Sequence, residues 1–396
     1  MISSHLAARW AGFGTSIFTE MTELARQHDA VNLAQGFPDF LGPPRLLDAV
    51  AAHVATSHHQ YAPGNGEERL RRAVARMVRA STGVDRDPRT EVTITTGATE
   101  AIYATVNAFV NPGDRVVVFE PLYDSYAQAI ANAGGVLVPI RLHAPDTDAG
   151  RAAGGWAIDW AELDAATAAG FRLLVLNSPH NPTGKVFTDD ELARIAAAVR
   201  GADAVALCDE VYEALVYDGA VHRSLSAVPE VRDRVVRISS AAKTFGFTGF
   251  KIGWATAAAP LSAAVRLVHQ ATVFSTTPFL QTAIAEVLED DAWLAGYVAE
   301  LRADYQGKRD RLRDALVRLG FEVPSVRGTY FLMAGFAAVE PALSDVAFAR
   351  SLIETRRVAA IPPSVFYARP PGRLPWLRFA FCKRDATLAR AAAQLG

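Results

Sequence analysis

The sequence predicts an α/β fold of two domains. Short apolar runs at 92–95, 115–119, 172–177, 204–209 and 235–238 alternate with helical patterns. Most of these runs end in a loop rich in Gly, Pro, Ser or Asn, where α/β folds place their chemistry. From Pro260 onward the composition turns helical, which marks a second domain. A chain of 396 residues has room for both.

Half the residues are hydrophobic and 21% are charged, which excludes global disorder. A net charge of −2 without a long basic run offers no footprint for nucleic acid. The 2 cysteines, Cys208 and Cys382, exclude a disulfide framework and a cysteine-based metal site, and they fit a reducing compartment. Residues 1–10 lack the apolar core of a secretory leader, and no apolar run reaches membrane-spanning length. The expectation is a cytoplasmic protein with no bound metal and no membrane partner.

A Gly12-Phe13-Gly14 turn and a helical pattern over 15–28 open the chain, and Val31 starts a short strand ending in the Gly36-Phe37-Pro38 loop. Gly36 permits close approach to a ligand, or serves a turn. Helices are expected over 44–57 and 67–80, flanking the turn-rich 61–66 loop. After strand 92–95, Gly97-Ala98-Thr99 opens a helix to Val110. A strand, a glycine turn and a helix N-terminus leave first-turn N–H groups pointing outward, a geometry suited to phosphate. Neither a P-loop lysine nor Gly-x-Gly-x-x-Gly accompanies it, so nucleotide binding is not supported. Strand 115–119 runs into Glu120-Pro-Leu-Tyr-Asp-Ser-Tyr126, where Tyr123 either stacks on a planar ring or packs in the core. A strand at 136–140 follows, and 144–156 reads as a Gly/Ala/Asp-rich loop without chemistry.

Strand 172–177 enters Ser178-Pro-His-Asn-Pro-Thr-Gly184, a rigid turn that can aim the Asn181 amide at a site, with His180 structural. After a helix over 189–200, the strand from Ala204 is apolar until Asp209, whose carboxylate emerges at the strand's end and needs a cation. A pyridinium N–H would serve. Tyr212 follows, and Cys208 reads as a small buried residue. Strand 235–238 breaks into Ser239-Ser-Ala-Ala-Lys243, then three glycines and Lys251, from which a strand to Ala257 is expected. Apolar and small neighbours desolvate the Lys243 amine, favouring the neutral form that attacks carbonyls. Hydroxyls and a second cation for a phosphate then suggest pyridoxal 5'-phosphate (PLP); a solvated loop with two surface lysines is the competing reading. A long helix over 290–319 precedes strands at 328–333 and 376–381. Arg378 lies inside the latter and must meet an anion, either a substrate carboxylate or a structural partner.

Taken together, Asn32-Leu-Ala-Gln-Gly-Phe-Pro-Asp-Phe40, 177–184, Asp209-Glu-Val-Tyr212, 239–243 and Arg378-Phe-Ala-Phe-Cys-Lys383 carry a resemblance. Over nearly its whole length the chain resembles the class I/II aminotransferases of PLP fold type I. It looks closest to the branch of kynurenine/glutamine transaminases and N-succinyldiaminopimelate aminotransferases. The resemblance implies a large PLP-binding domain at 43–280, with a mostly parallel sheet and helices on both faces. It also implies a smaller α+β domain at 281–396, to which an arm at 1–42 contributes.

Residue by residue, Lys243 matches the Schiff-base lysine that later moves the α-proton, and Asp209 the partner of the pyridine nitrogen. Asn181 and Tyr212 match the groups bonding the ring's 3'-oxygen, and Tyr123 the aromatic that stacks on the ring. Ala98, Thr99, Ser240 and Lys251 match the phosphate cup; most members have arginine where Lys251 stands, but this branch has lysine. Tyr61 matches a residue reaching the neighbouring subunit's phosphate, which implies a homodimer with shared sites. Gly36 and Arg378 match the α-carboxylate clamp, and Phe18 a pocket-lining aromatic. The implied reaction moves an L-amino acid's amino group to a 2-oxo acid. Elimination or replacement at the β- or γ-carbon, C–S lysis included, is the alternative on the same scaffold.

Overall fold

The structure, a computed structural model, describes residues 5–14, 16–56 and 59–396; the expected starts and ends of two helices at Thr15 and Ser57 lie outside these. After β1 (Val31–Asn32) come β2 (Val92–Thr95), β3 (Arg115–Glu120), β4 (Val136–His143), β5 (Ala157–Ile158), β6 (Leu173–Asn177), β7 (Val205–Asp209), β8 (Val235–Ser240) and β9 (Gly253–Thr256). Among the described residues, β2 to β9 form an 8-stranded sheet in the order β2-β9-β8-β7-β6-β3-β4-β5. The run β4-β3-β6-β7-β8 is parallel, whereas β9 is antiparallel to both β8 and β2. The C-terminal ends of β2, β3, β6, β7 and β8 therefore share one edge. Running the other way, β9 starts there, with Gly253 in register with both Thr95 and Ser240.

Side chains alternate across a strand, so a continuous apolar run can feed two cores. Val116, Val118, Leu173, Val175, Leu207, Val236 and Ile238 pack on one face against α4 (Gly97–Phe109), α5 (Asp124–Asn132) and α10 (Ala259–Thr272). Val117, Phe119, Leu174, Leu176, Ala206 and Cys208 pack on the other against α7 (Trp160–Ala169) and α8 (Asp189–Gly201). Cys208 is thus the buried core residue expected. A third cluster joins α2 (Pro44–Thr56), α3 (Glu68–Thr82) and α11 (Pro278–Leu288) to β2 and β9.

The remaining strands make two small sheets. β1 pairs in parallel with β11 (Val358–Ala359), and β10 (Phe331–Gly335) is antiparallel to β12 (Trp376–Ala380). Around them pack α1 (Ile17–Gln27), α12 (Asp291–Arg318), α13 (Asp345–Arg356) and α14 (Asp385–Leu395). Segments from the two ends of the chain thereby meet: Val31 is in register with Val358, and Ala380 N–H donates to Leu33 O at 2.8 Å.

Three expectations need correction. The 144–156 stretch is no plain loop but contains α6 (Asp148–Ala153), because Thr147 caps Gly150 N–H and Gly154 closes the helix in a left-handed turn. Lys251 does not begin a strand: its φ is 54°, and β9 starts only at Gly253. The strand expected from Gly328 starts at Phe331, after Thr329 has turned with φ of 65°.

One buried ionic cluster ties β8 to the turn after β7. Arg237, fully buried in β8, donates to Glu210 Oε2 at 2.6 Å and pairs with Glu213. Ser224 donates to Glu210 Oε1 at 2.6 Å and Ser239 to Glu213 Oε1 at 2.6 Å. Burial alone would raise the Glu210 carboxyl; Arg237 and His222 instead hold it down at about 2. Replacing Arg237 with Ala should leave two carboxylates without their cation and cost about 3–5 kcal/mol. Urea unfolding checks this, and a loss below about 1 kcal/mol, the scale of an exposed pair, would show that the cluster does not hold the strands.

Candidate active site

At the shared strand edge lies a cavity of about 360 Å³. Every residue singled out from the sequence lines it except Tyr61. Each arrives by its own element.

The β2–α4 turn forms the cup. Gly97 has φ of +75°, which directs the first turn of the 13-residue helix α4 at the cavity. A Cβ on Gly253 would lie 2.6 Å from Gly97 C and 2.8 Å from Ala98 N, so only glycine lets β9 come this close. The left-handed backbone at Lys251 brings its ammonium over the same turn, 3.4 Å from where a Cβ on Gly97 would be. Ser240, the last residue of β8, and Thr99 add hydroxyls to the lining. Helix N–H groups, an ammonium and two hydroxyls suit a phosphate dianion.

Asp209 ends β7 at 4% exposure. Its Oδ2 accepts from Tyr126 Oη at 2.7 Å and its Oδ1 from Val211 N–H at 3.3 Å. Burial raises its carboxyl pKa, which these donors and nearby Lys243 oppose. Asn177 stitches this strand end to the next turn: its Nδ2 donates to Asp209 O at 2.9 Å while its Oδ1 accepts from Asn181 N–H at 2.7 Å. That stitch aims Asn181. His180 is structural as expected, with Nδ1 and Thr183 Oγ1 at 2.8 Å and burial pushing its pKa down to about 3.

Lys243 sits on the short α9 (Ala241–Thr244), one turn beyond β8. Its Nζ lies 5.7 Å from the Tyr212 ring centroid and 5.8 Å from that of Tyr330. Burial pulls the amine down to about 8. At pH 7 about a tenth of it is then in the nucleophilic form, on the order of a hundredfold more than for a lysine at the ordinary value of about 10.4.

Arg378, at 1% exposure, has no carboxylate partner among the described residues. One Nη donates to Asn181 Oδ1 at 3.1 Å and the other to Ala34 O at 3.0 Å, while Nε has no partner. The guanidinium lies 4.0 Å from the Phe331 ring centroid and 5.1 Å from those of Phe18 and Phe366. Burial draws it down to about 10. Among the described residues Arg378 forms no salt bridge, and its hydrogen-bond acceptors are the neutral Asn181 Oδ1 and Ala34 O. Gly36 stands beside it with no room for a Cβ, which would meet Phe331 Cζ at 2.6 Å. Tyr330 Oη also donates to Gly36 O at 2.5 Å, fixing that loop.

Tyr61 is the exception: it is 83% exposed, with its ring edge-on to Phe274 at 5.3 Å. The sequence reading also missed residues that the cavity uses. Tyr126 stands three residues after Tyr123, on the same helix face, and that spacing was a signal. Phe37, Asp124 and Phe331 carried none, because an aromatic within a strand or loop reads as core.

A helix N-terminus with an ammonium and hydroxyls, a carboxylate, a desolvated lysine and a guanidinium without a carboxylate partner among the described residues meet in one cavity. The family model of class I and II aminotransferases matches residues 28–395. The chain belongs to that family. The methionine aminotransferase of Escherichia coli is 42% identical over 96% of this chain and 95% of its own. Its crystal structure superposes with a TM-score of 0.91 over 98% of each chain. A probable N-succinyldiaminopimelate aminotransferase of Mycobacterium tuberculosis is 44% identical over 98% of this chain and 97% of its own. The kynurenine–oxoglutarate transaminase of Dictyostelium discoideum is 34% identical over 96% and 93%. These relatives match the branch read from the sequence, and the protein is a PLP-dependent aminotransferase. The cavity fits PLP on its own evidence, since its cup, carboxylate and amine match that molecule's phosphate, ring nitrogen and aldehyde.

Labelling of Lys243 in the cofactor-free aminotransferase by an amine-reactive reagent should follow its neutral fraction. It should fall below a midpoint near pH 8 and level off above it, given an amine drawn down to about 8. Peptide mass spectrometry across the pH range checks this. A midpoint near the ordinary lysine value of about 10.4 would show that the site does not desolvate the amine.

Proposed function

We propose that the enzyme transfers amino groups between neutral-side-chain L-amino acids and 2-oxo acids, with Lys243 as its covalent and proton-moving group. The observation that carries this reading is Arg378, a buried guanidinium without a carboxylate, facing the same cavity as Lys243 and Asp209. An α-amino acid supplies the missing carboxylate and places its amino group toward the lysine.

PLP held by Ala98, Thr99, Ser240 and Lys251 at its phosphate supplies an electron sink for the pair released at the substrate Cα. Asp209 would hold the ring nitrogen, each group removing the other's burial cost. Tyr123 would hold the ring face, and Asn181 and Tyr212 its 3'-oxygen. Arg378, with Asn181 and the Gly36 loop, grips the substrate carboxylate and fixes which Cα bond faces Lys243. The Lys243 amine would take the Cα proton, and its depressed basicity would let it release that proton again. Phe18, Phe331 and Phe366 around Arg378 exclude water.

The side-chain preference rests on charge. Among the described residues lining the cavity, the cations are Lys243, Lys251 and Arg378, and each already has a role. What remains is aromatic wall with Asp124, whose carboxyl is itself raised by burial. A dicarboxylate would meet no free cation there. The E. coli methionine aminotransferase relative supports the same preference.

We further propose a homodimer with shared sites. The Tyr61–Phe274 pair is 83% and 50% exposed, and Leu41 is 79% exposed, an apolar rim that a second copy would cover. Residues 43–280 are proposed as the PLP-binding domain, 281–396 as the small one, with 1–42 as the arm. No helix among the described residues is long and apolar enough to cross a membrane; we propose the cytoplasm as its compartment.

Borohydride reduction of the holoenzyme should fix the cofactor on Lys243, and peptide mapping that places it on Lys251 or Lys185 would overturn the assignment. Methionine or a similar neutral amino acid alone should drive one half-reaction, leaving the cofactor in its amine form until a 2-oxo acid is added. Aspartate reacting faster than methionine would refute the neutral pocket. Replacing Arg378 with Ala should raise KM about tenfold to a hundredfold, the scale of a charge-assisted contact of about 1.5–3 kcal/mol. An unchanged KM would remove Arg378 from carboxylate recognition.

A further inference from the structure

Tyr126 lies in the first turn of α5, at 2% exposure. Its ring packs edge-on against Tyr123, with centroids 5.7 Å apart at 86°. Its hydroxyl donates to Asp209 Oδ2 at 2.7 Å. The other hydrogen bond at that carboxylate comes from Val211 N–H, at a longer 3.3 Å. One side chain thus supports both groups assigned to the cofactor ring, Tyr123 at its face and Asp209 at its nitrogen. A phenylalanine would fill the same space among Ile130, Val116 and Val118, which belong to the same core. The hydroxyl therefore serves Asp209 rather than packing, since a buried O–H is tolerated where it finds a strong acceptor.

We propose that Tyr126 is a positioning residue of the transamination site: its hydroxyl fixes one oxygen of Asp209, and its ring sets Tyr123, so that both meet the same cofactor ring. This rests on the assignment of Asp209 to the ring nitrogen. Without the hydroxyl, the Asp209 carboxylate loses its shorter donor, turns more freely and is more readily neutralised by a proton. An acid that has taken up a proton no longer holds the ring nitrogen in its charged form, and the sink weakens. Tyr126 acts through Asp209 and touches no reacting atom.

The test uses Tyr126→Phe, Asp209→Ala and the double variant. Equilibrium dialysis measures binding of pyridoxal 5'-phosphate to each cofactor-free protein, and steady-state rates are taken on the reloaded enzymes. Tyr126→Phe should weaken PLP binding about tenfold, the scale of one charge-assisted hydrogen bond, and lower kcat with KM little changed. Its bound-cofactor absorbance should titrate with a midpoint displaced from that of the natural enzyme. On the Asp209→Ala background the same change should cost nothing further, because its effect runs through the missing carboxylate. Tyr126→Phe matching the natural enzyme while Asp209→Ala is crippled would overturn the proposal alone. Losses that add in the double variant would overturn it too, marking Tyr126 as a core residue. Asp209→Ala with near-natural binding and rate would sink the underlying assignment, and the proposal with it.

Discussion

Charges of both signs are kept dry in one cavity without neutralising one another, and the rest of the molecule answers to that constraint. Arg378 is fixed in β12, Lys243 on α9 and Asp209 at the end of β7. Each feels burial in its own direction: the guanidinium and the amine are drawn down, the carboxyl is raised. A protein relieves such a cost by pairing its own charges, as Arg237 does with Glu210 and Glu213 a few residues away. At the cavity that relief is withheld. On the proposed reading, a ligand bearing a phosphate, a ring nitrogen, an aldehyde and, on its partner, an α-carboxylate would supply it instead.

The scaffold makes this arrangement affordable through its topology. Five parallel strand ends deliver loops to one edge, and the reversal at β9 returns the chain there with Lys251 and Gly253. Without that reversal the ammonium would lie at the far end of the sheet from the helix it faces. Asn177 and the Arg237 cluster lock the turns after β6 and β7 to β8. The dry charges therefore sit beside turns cross-linked by buried hydrogen bonds, which resist collapse of the cavity onto them.

The sheet strands were legible because their apolar runs end abruptly in residues with special backbone or chemistry, as at Thr95, Asp209 and Ser240. The candidate site was legible through chain order, since Ala98, Asn181, Asp209 and Lys243 stand at or just beyond such ends, while Arg378 stood out as a charge inside an apolar strand. What stayed hidden follows from tertiary contact. The two-residue strands β5 and β11 carry no period of their own. Helix α6 hid in a Gly/Ala/Asp composition, where Thr147 and Gly154 act as caps only once the flanking strands are placed. Lys251 lines the cavity as expected but on a different backbone, because a left-handed lysine leaves no mark in composition. The aromatic wall of Phe18, Phe331 and Phe366 is spread over three distant segments and converges only at Arg378.

On the proposed reading of Arg378, that convergence would let a substrate carboxylate be recognised with little rearrangement. The Arg378 fork is oriented before any ligand arrives, by Asn181 from the turn after β6 and by Ala34 O from the loop after β1. The Phe331 face holds its plane from the side. A long cation free to rotate would lose side-chain entropy on binding; this one has already lost it during folding. Its two protein acceptors are neutral, so they steer the guanidinium without discharging it. A carboxylate bound there, as proposed, would meet a fork already oriented, and the energy of that contact would go into setting the Cα proton toward Lys243 rather than into arranging the arginine.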